Sequence, residues 1–162
     1  MRPQLRTELR SLRNYIFGST AAIITNMSLI VGLGSAKASK GPILGSLLTI
    51  ALADNISDSL GIHLYKETEG LGQRLSAFAT LINFLARLTV CSSFIAIVLV
   101  LSTRQAIAAA VVWGLLLLVL LSYLITKSNG TESWPEIGKH VLVAVVVIAL
   151  SRWVGALIAR HF

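Results

Sequence analysis

Long apolar runs, each about as long as a bilayer crossing, alternate along the chain with short polar breaks. A hydrocarbon core about 30 Å thick needs about 20 helical residues to cross. Five runs meet that length: Tyr15–Gly34, Pro42–Leu64, Ser76–Leu101, Ile107–Ile125 and Val141–Ala159. Pro42 suits the first turn of its helix, where its missing N–H has no partner to lose. The breaks, "SAKASKG", "YKETEGLGQR", "STRQ" and "TKSNGTESWPEIGKH", are too short for a separate folded domain. The pattern predicts an all-α polytopic membrane protein, one domain over residues 1–162 with five transmembrane helices.

Ahead of the first run, Leu5, Leu9, Leu12 and Ile16 recur at helical spacing with Arg6, Arg10 and Arg13 between them. This predicts a short N-terminal amphipathic helix over residues 3–13, lying on the membrane surface; a solvated basic tail is the alternative. No cleavable signal peptide is read, because the first apolar run follows a basic helical stretch and is long enough to span.

Composition agrees with the pattern. The chain is 55% hydrophobic and 13% charged, with a mean hydropathy of +0.79, against about 25% charged in soluble domains. The net charge of +7 comes from basic residues flanking the apolar runs, which points to anionic lipid headgroups and not to nucleic acid. With the N-terminus inside, the cytoplasmic face holds eight Lys and Arg (Arg2, Arg6, Arg10, Arg13, Lys66, Arg74, Lys127 and Lys139) against four outside (Lys37, Lys40, Arg104 and Arg160). The positive-inside rule then predicts a cytoplasmic N-terminus and an outside C-terminus. A prokaryotic inner membrane is the default location. The tripeptide Asn129-Gly130-Thr131 matches a glycosylation acceptor but falls on the inner side, and reads as a turn. A single cysteine, Cys91, excludes an internal disulfide and a multi-cysteine metal site.

The candidate chemistry lies in the second run. Asp54 and Asp58 share a helix face, and Gly61, Tyr65 and Glu69 continue that stripe toward the inner surface, with Glu67 beside its exit. Asn55, Ser57 and Ser59 add oxygens along the same helix, the ligand type that a hard divalent cation prefers. At about 1.5 Å per residue, Asn26, Asp54 and Arg87 fall near mid-membrane, and Asp58 and Asn83 one turn nearer the cytoplasm. Ionisable groups at such depth mark ion or proton pathways, or pair with one another. The rival reading is therefore that Arg87 neutralises Asp54 or Asp58 and the acids serve packing. His63 lies off the Asp58 face, Met27 reads as packing, and Arg152 sits near the outer interface. No nucleophile elbow, phosphate loop or paired-His metal motif is present, so no enzyme and no catalytic residue is expected.

"YIFGSTAAIITNMSLIVGLGSA" followed by "LADNISDSLGIHLYKETE" resembles the first two spans of the vacuolar iron transporter family. "RLSAFATLINFLARLTV" resembles its third span and "ALSRWVGALIARHF" its closing helix, so the likeness covers nearly the whole chain in span number and order. The resemblance implies a five-helix protomer, a homodimer with its ion path at the two-fold interface, and export of Fe²⁺ or Mn²⁺ in exchange for protons. Four departures stand out. Ala21 occupies the position of the family's first-span aspartate, Asp58 that of a second-span methionine, and Arg87 that of a small residue. The Glu-rich cytoplasmic domain shrinks to the loop holding Glu67 and Glu69.

Together these observations predict a divalent metal cation transporter exchanging iron or manganese for protons, with no tightly bound cofactor. Asp58 is the expected main ligand and Asp54 the second ligand or proton carrier. Asn26 and Asn83 complete the polar layer, and Glu67 and Glu69 draw cations to the mouth. The expected partners are the lipid membrane, divalent cations and a second copy of the chain. The alternative is a non-transporting structural or assembly protein whose buried acids form packing ion pairs with arginines.

Overall fold

Each apolar run is a helix, since in lipid only a helix or a closed barrel satisfies every backbone polar group internally. The computed structural model describes residues 3–70, 72–129 and 133–161, and the side chains of 18–70, 72–127 and 134–161. The elements are α1 (Pro3–Ser35), α2 (Lys40–Thr49), a π-helical segment (Ile50–Asp54), α3 (Asn55–Thr68), α4 (Gln73–Val100), α5 (Thr103–Asn129) and α6 (Ser133–His161). No strand occurs among the described residues. Five stretches are long and apolar enough to cross a membrane: Gly18–Ser35, Lys40–Thr68, Gln73–Val100, Thr103–Lys127 and Trp134–His161.

Each expected span lies inside one helical stretch, and the helices run several residues further at most ends. The amphipathic stretch 3–13 is helical and continuous with the first span in α1; the side chains of Leu5, Leu9, Leu12 and Ile16 lie outside the described residues, as does most of the tripeptide at 129–131. The longest expected loop is mostly helix, because α5 reaches Asn129 and α6 begins at Ser133.

Local chemistry sets the ends. Lys37 takes a left-handed φ of 59° after α1. There the N–H groups of Ala36, Lys37 and Ala38 bond back to Gly32, Gly34 and Leu33 carbonyls, closing the last turn. Gly70, with φ of 74°, ends α3 in the same way. Before α5, Gln105 Oε1 accepts from both the backbone N–H (3.2 Å) and the hydroxyl (2.7 Å) of Ser102. That satisfies a donor the helix start would otherwise strand.

Helix α1 is the hub, packing against α2, α4, α5 and α6. Ala22, Ile23, Met27 and Ile30 are fully buried along it. Where lipid replaces water, close approach of small residues drives helix association. A Cβ built on Gly155 would lie 2.1 Å from the Gly32 carbonyl oxygen, so α6 meets α1 backbone to backbone. A Cβ on Gly114 would lie 2.7 Å from Met27 Sδ, which fixes α5 against the same hub. Met27 is packing, as read from the sequence. Leu52, Ile56 and Leu60 on the second span, and Leu81 and Leu85 on α4, are exposed and suit lipid tails.

The second span contains the one irregularity that positions the site. Its buried side chains, Ile43, Leu47, Ala51, Asn55 and Ser59, repeat every four residues. In an ideal α-helix a four-residue step drifts by about 40°, which would carry the last of them off the interface. The wider π turn over Ile50–Asp54 takes back that drift and keeps Asn55 and Ser59 facing α4. Single π turns are often found at functional sites.

Candidate cation site between α3 and α4

Arg87 comes from the middle of α4 and is only 2% exposed. Its Nε donates to Asn55 Oδ1 at 2.9 Å. Its two terminal nitrogens donate to Oδ2 of Asp58, at 2.7 Å, and to Oδ2 of Asp54. One guanidinium thus spans two carboxylates a turn apart on α3 and its π segment. The carboxylates lie on the flank of the buried stripe, with 48% of the Asp54 side chain and 42% of the Asp58 side chain exposed. One positive charge faces two negative ones, which leaves the ionised cluster one negative charge in surplus.

A polar seam surrounds this cluster on the side away from α2. Asn55 Nδ2 donates to the Ala51 carbonyl at 3.0 Å, so its amide braces the π turn that carries Asp54. Asn26 Nδ2 donates to Ala22 O at 2.7 Å and to Cys91 Sγ at 3.0 Å. Asn83 Nδ2 donates to Ser59 Oγ at 3.2 Å. Asn26, Asn55, Ser59, Asn83 and Arg87 are all buried. Toward the other end of the bundle the same interface is apolar, with Ile43, Leu47, Phe94 and Val98. The buried interface therefore changes from polar to apolar about half-way along.

Three atoms of this seam, Ser19 Oγ, Asn26 Oδ1 and Asn83 Oδ1, are buried and find no hydrogen-bond partner among the described residues. Such groups carry a desolvation cost of about 1–3 kcal/mol each. Asn83 Oδ1 occupies the notch left by Gly18, where a Cβ would lie 2.0 Å from it.

The six residues singled out from the sequence thus separate into two groups. Asp54 and Asp58 converge on Arg87, with Asn83 one turn away on α4 and Asn26 further along the seam. Glu67 and Glu69 do not join them. Glu67 lies 3.4 Å from His63 Nε2 on its own helix, and His63 Nδ1 is 3.3 Å from Thr80 Oγ1. Glu69 accepts from Lys66 Nζ at 2.8 Å and from the Tyr65 hydroxyl at 3.0 Å. Arg152 is exposed on α6. Among the described residues no three His, Cys, Asp or Glu side chains gather as a metal site. A cation at the cluster would meet two carboxylates, neutral oxygens and a resident guanidinium.

Asn55 and Cys91 are more central than the sequence indicated. Asn55 aims Arg87, and Cys91 accepts from Asn26 at the outer edge of the seam. The four-residue repeat Ala51, Asn55, Ser59 was the signal for Asn55; nothing in the sequence marked the thiol as an acceptor.

Compared with family models, curated proteins and solved structures, the chain matches none.

Proposed function

We propose that the protein transports cations, with the Asp54–Asp58–Arg87 cluster as the exchange site. The surplus carboxylate carries the argument. A packing ion pair balances itself, whereas here two mid-span acids share one guanidinium. An unbalanced charge at that depth is costly until a proton or cation neutralises it. The Oδ1 atoms of both acids take no hydrogen bond from a described residue, and the side chains are half-exposed, so the cluster offers both charge and free oxygens. The polar half of the seam supplies a route to it from the end where α1 begins.

The resemblance of the first two spans to vacuolar iron transporters supports Fe²⁺ or Mn²⁺ as cargo and protons as the exchanged ion. On this reading the chain sits in a membrane with a cytoplasmic N-terminus, by its distribution of Lys and Arg. A second copy covers the half-exposed carboxylate face, which a lone protomer would present to lipid. Glu67 and Glu69 lie at the cytoplasmic mouth and raise the local cation concentration.

One observation favours the non-transporting reading: Arg87 already engages both acids and Asn55. Reconstituted vesicles separate the two. With an imposed Mn²⁺ gradient, the parent protein moves protons and Asp58→Asn does not, while Asp58→Asn still purifies as a folded protein. Undiminished proton movement in Asp58→Asn rejects the exchange site. No movement in the parent, with any of Fe²⁺, Mn²⁺ or alkali cations, leaves the packing reading.

A further inference from the structure

We infer that Arg87 is a tethered competitor for the cation, with Asn83 Oδ1 as its alternate acceptor. The inference rests on the exchange-site reading and adds how the site is emptied. Both Oδ2 atoms that face the α3–α4 cleft are occupied by the guanidinium. A dication that draws on both carboxylates meets a like charge in hydrogen-bond contact with its own ligands. Two like charges at about 4 Å repel strongly in a medium less polar than water. Binding therefore requires the guanidinium to leave the carboxylates, and its return expels the cation.

The structure supplies a place for it to go. Asn83 precedes Arg87 by four residues, so their side chains are neighbours on one face of α4. Both line the Gly18 notch, where a Cβ would lie 2.0 Å from Asn83 Oδ1 and 3.3 Å from Arg87 Cγ. Asn83 Oδ1 is fully buried and without a hydrogen-bond donor among the described residues. A guanidinium rotated about its stem toward that oxygen exchanges one buried acceptor for another and keeps its charge within the polar seam. Asn83 is thus reassigned from cation ligand to holder of the displaced arginine. The stem has room because position 18 is glycine.

Mn²⁺ binding to the purified protein in detergent, read as a concentration-dependent thermal shift, tests this. Arg87→Gln removes the competitor and tightens Mn²⁺ binding by about tenfold or more. Arg87→Lys keeps the charge without the fork and falls between Arg87→Gln and the parent. Asn83→Leu removes the alternate acceptor and weakens binding by about tenfold. Arg87→Gln binding no tighter than the parent overturns the inference, as does Arg87→Lys binding as tightly as Arg87→Gln. Should Arg87→Gln fail to fold, Asn83→Leu decides, and unchanged affinity there overturns it. Loss of the shift in Asp58→Asn with no gain in Arg87→Gln leaves the exchange site standing and removes only the competitor. A shift in neither the parent nor Arg87→Gln removes both.

Discussion

Asn55 Oδ1 accepts from Arg87 Nε at 2.9 Å, while Asn55 Nδ2 holds the Ala51 carbonyl across the π turn. One neutral amide therefore links the backbone irregularity to the aim of the arginine. With Nε fixed, the planar fork of the guanidinium points its terminal nitrogens at the two carboxylates. The amide sets the geometry and the acids supply the charge.

Asn55→Leu strands Nε in a buried setting. The expected loss is about 1–3 kcal/mol of stability, with the helices intact because Arg87 keeps both carboxylates. Thermal unfolding in detergent measures it. Stability equal to the parent would show that Asn55 aims nothing.

The acids should behave non-additively. Asp54→Asn or Asp58→Asn alone leaves one carboxylate against one guanidinium, a balanced pair, and either change is expected to cost about 1 kcal/mol or less. The double substitution leaves a buried arginine without a counter-charge, at a cost of about 3–5 kcal/mol. A double-mutant cycle reads the coupling. Single substitutions as damaging as the double would mean that both carboxylates are structural.

Gly155 and Gly138 both lie on α6 and should respond oppositely to alanine. A Cβ at Gly155 collides with the Gly32 backbone, and backbone does not yield as a flexible side chain does. Gly155→Ala should cost about 1–3 kcal/mol. Nothing lies within 4 Å of a Cβ at Gly138, so Gly138→Ala is neutral or gains up to about 1 kcal/mol from helix propensity. Equal melting points for the two variants would contradict the close α1–α6 crossing.

Deleting Ala53 removes one residue from the π turn and rotates α3 by about 100° relative to α2. Asp58 then leaves Arg87, and Asn55 and Ser59 leave the α4 interface. Destabilisation of about 3–5 kcal/mol is expected, as for a broken buried ion pair. Deleting Thr68 at the end of α3 should leave unfolding unchanged. If both deletions melt alike, the π turn does not set the register.

Most of the architecture was legible in the sequence because lipid imposes a simple code. Each apolar run had to be a helix, so span number and order followed from length alone. The depth count along each helix also placed Asp54, Asp58 and Arg87 in one layer, where the structure brings them together. The π turn was hidden: it answers the four-residue spacing of Ile43, Leu47, Ala51, Asn55 and Ser59, which shows only once their burial is known. The partners of Glu67 and Glu69 were harder to read, since His63, Tyr65 and Lys66 compete for them at helical spacing on the same turn-and-a-half of α3. Sequence position placed Asn83 in the polar layer. The direction of its oxygen, into the Gly18 notch, depends on how closely α1 and α4 approach.

The claim on which the account turns is the extra carboxylate beside Arg87, held by a proton until a metal ion takes its place. Proton release on adding Mn²⁺ to purified protein in weakly buffered detergent, followed with a pH indicator, measures it directly. The account predicts release of about one proton per chain, absent from Asp58→Asn. No release from the parent despite Mn²⁺ binding, or the same release from Asp58→Asn, would contradict it.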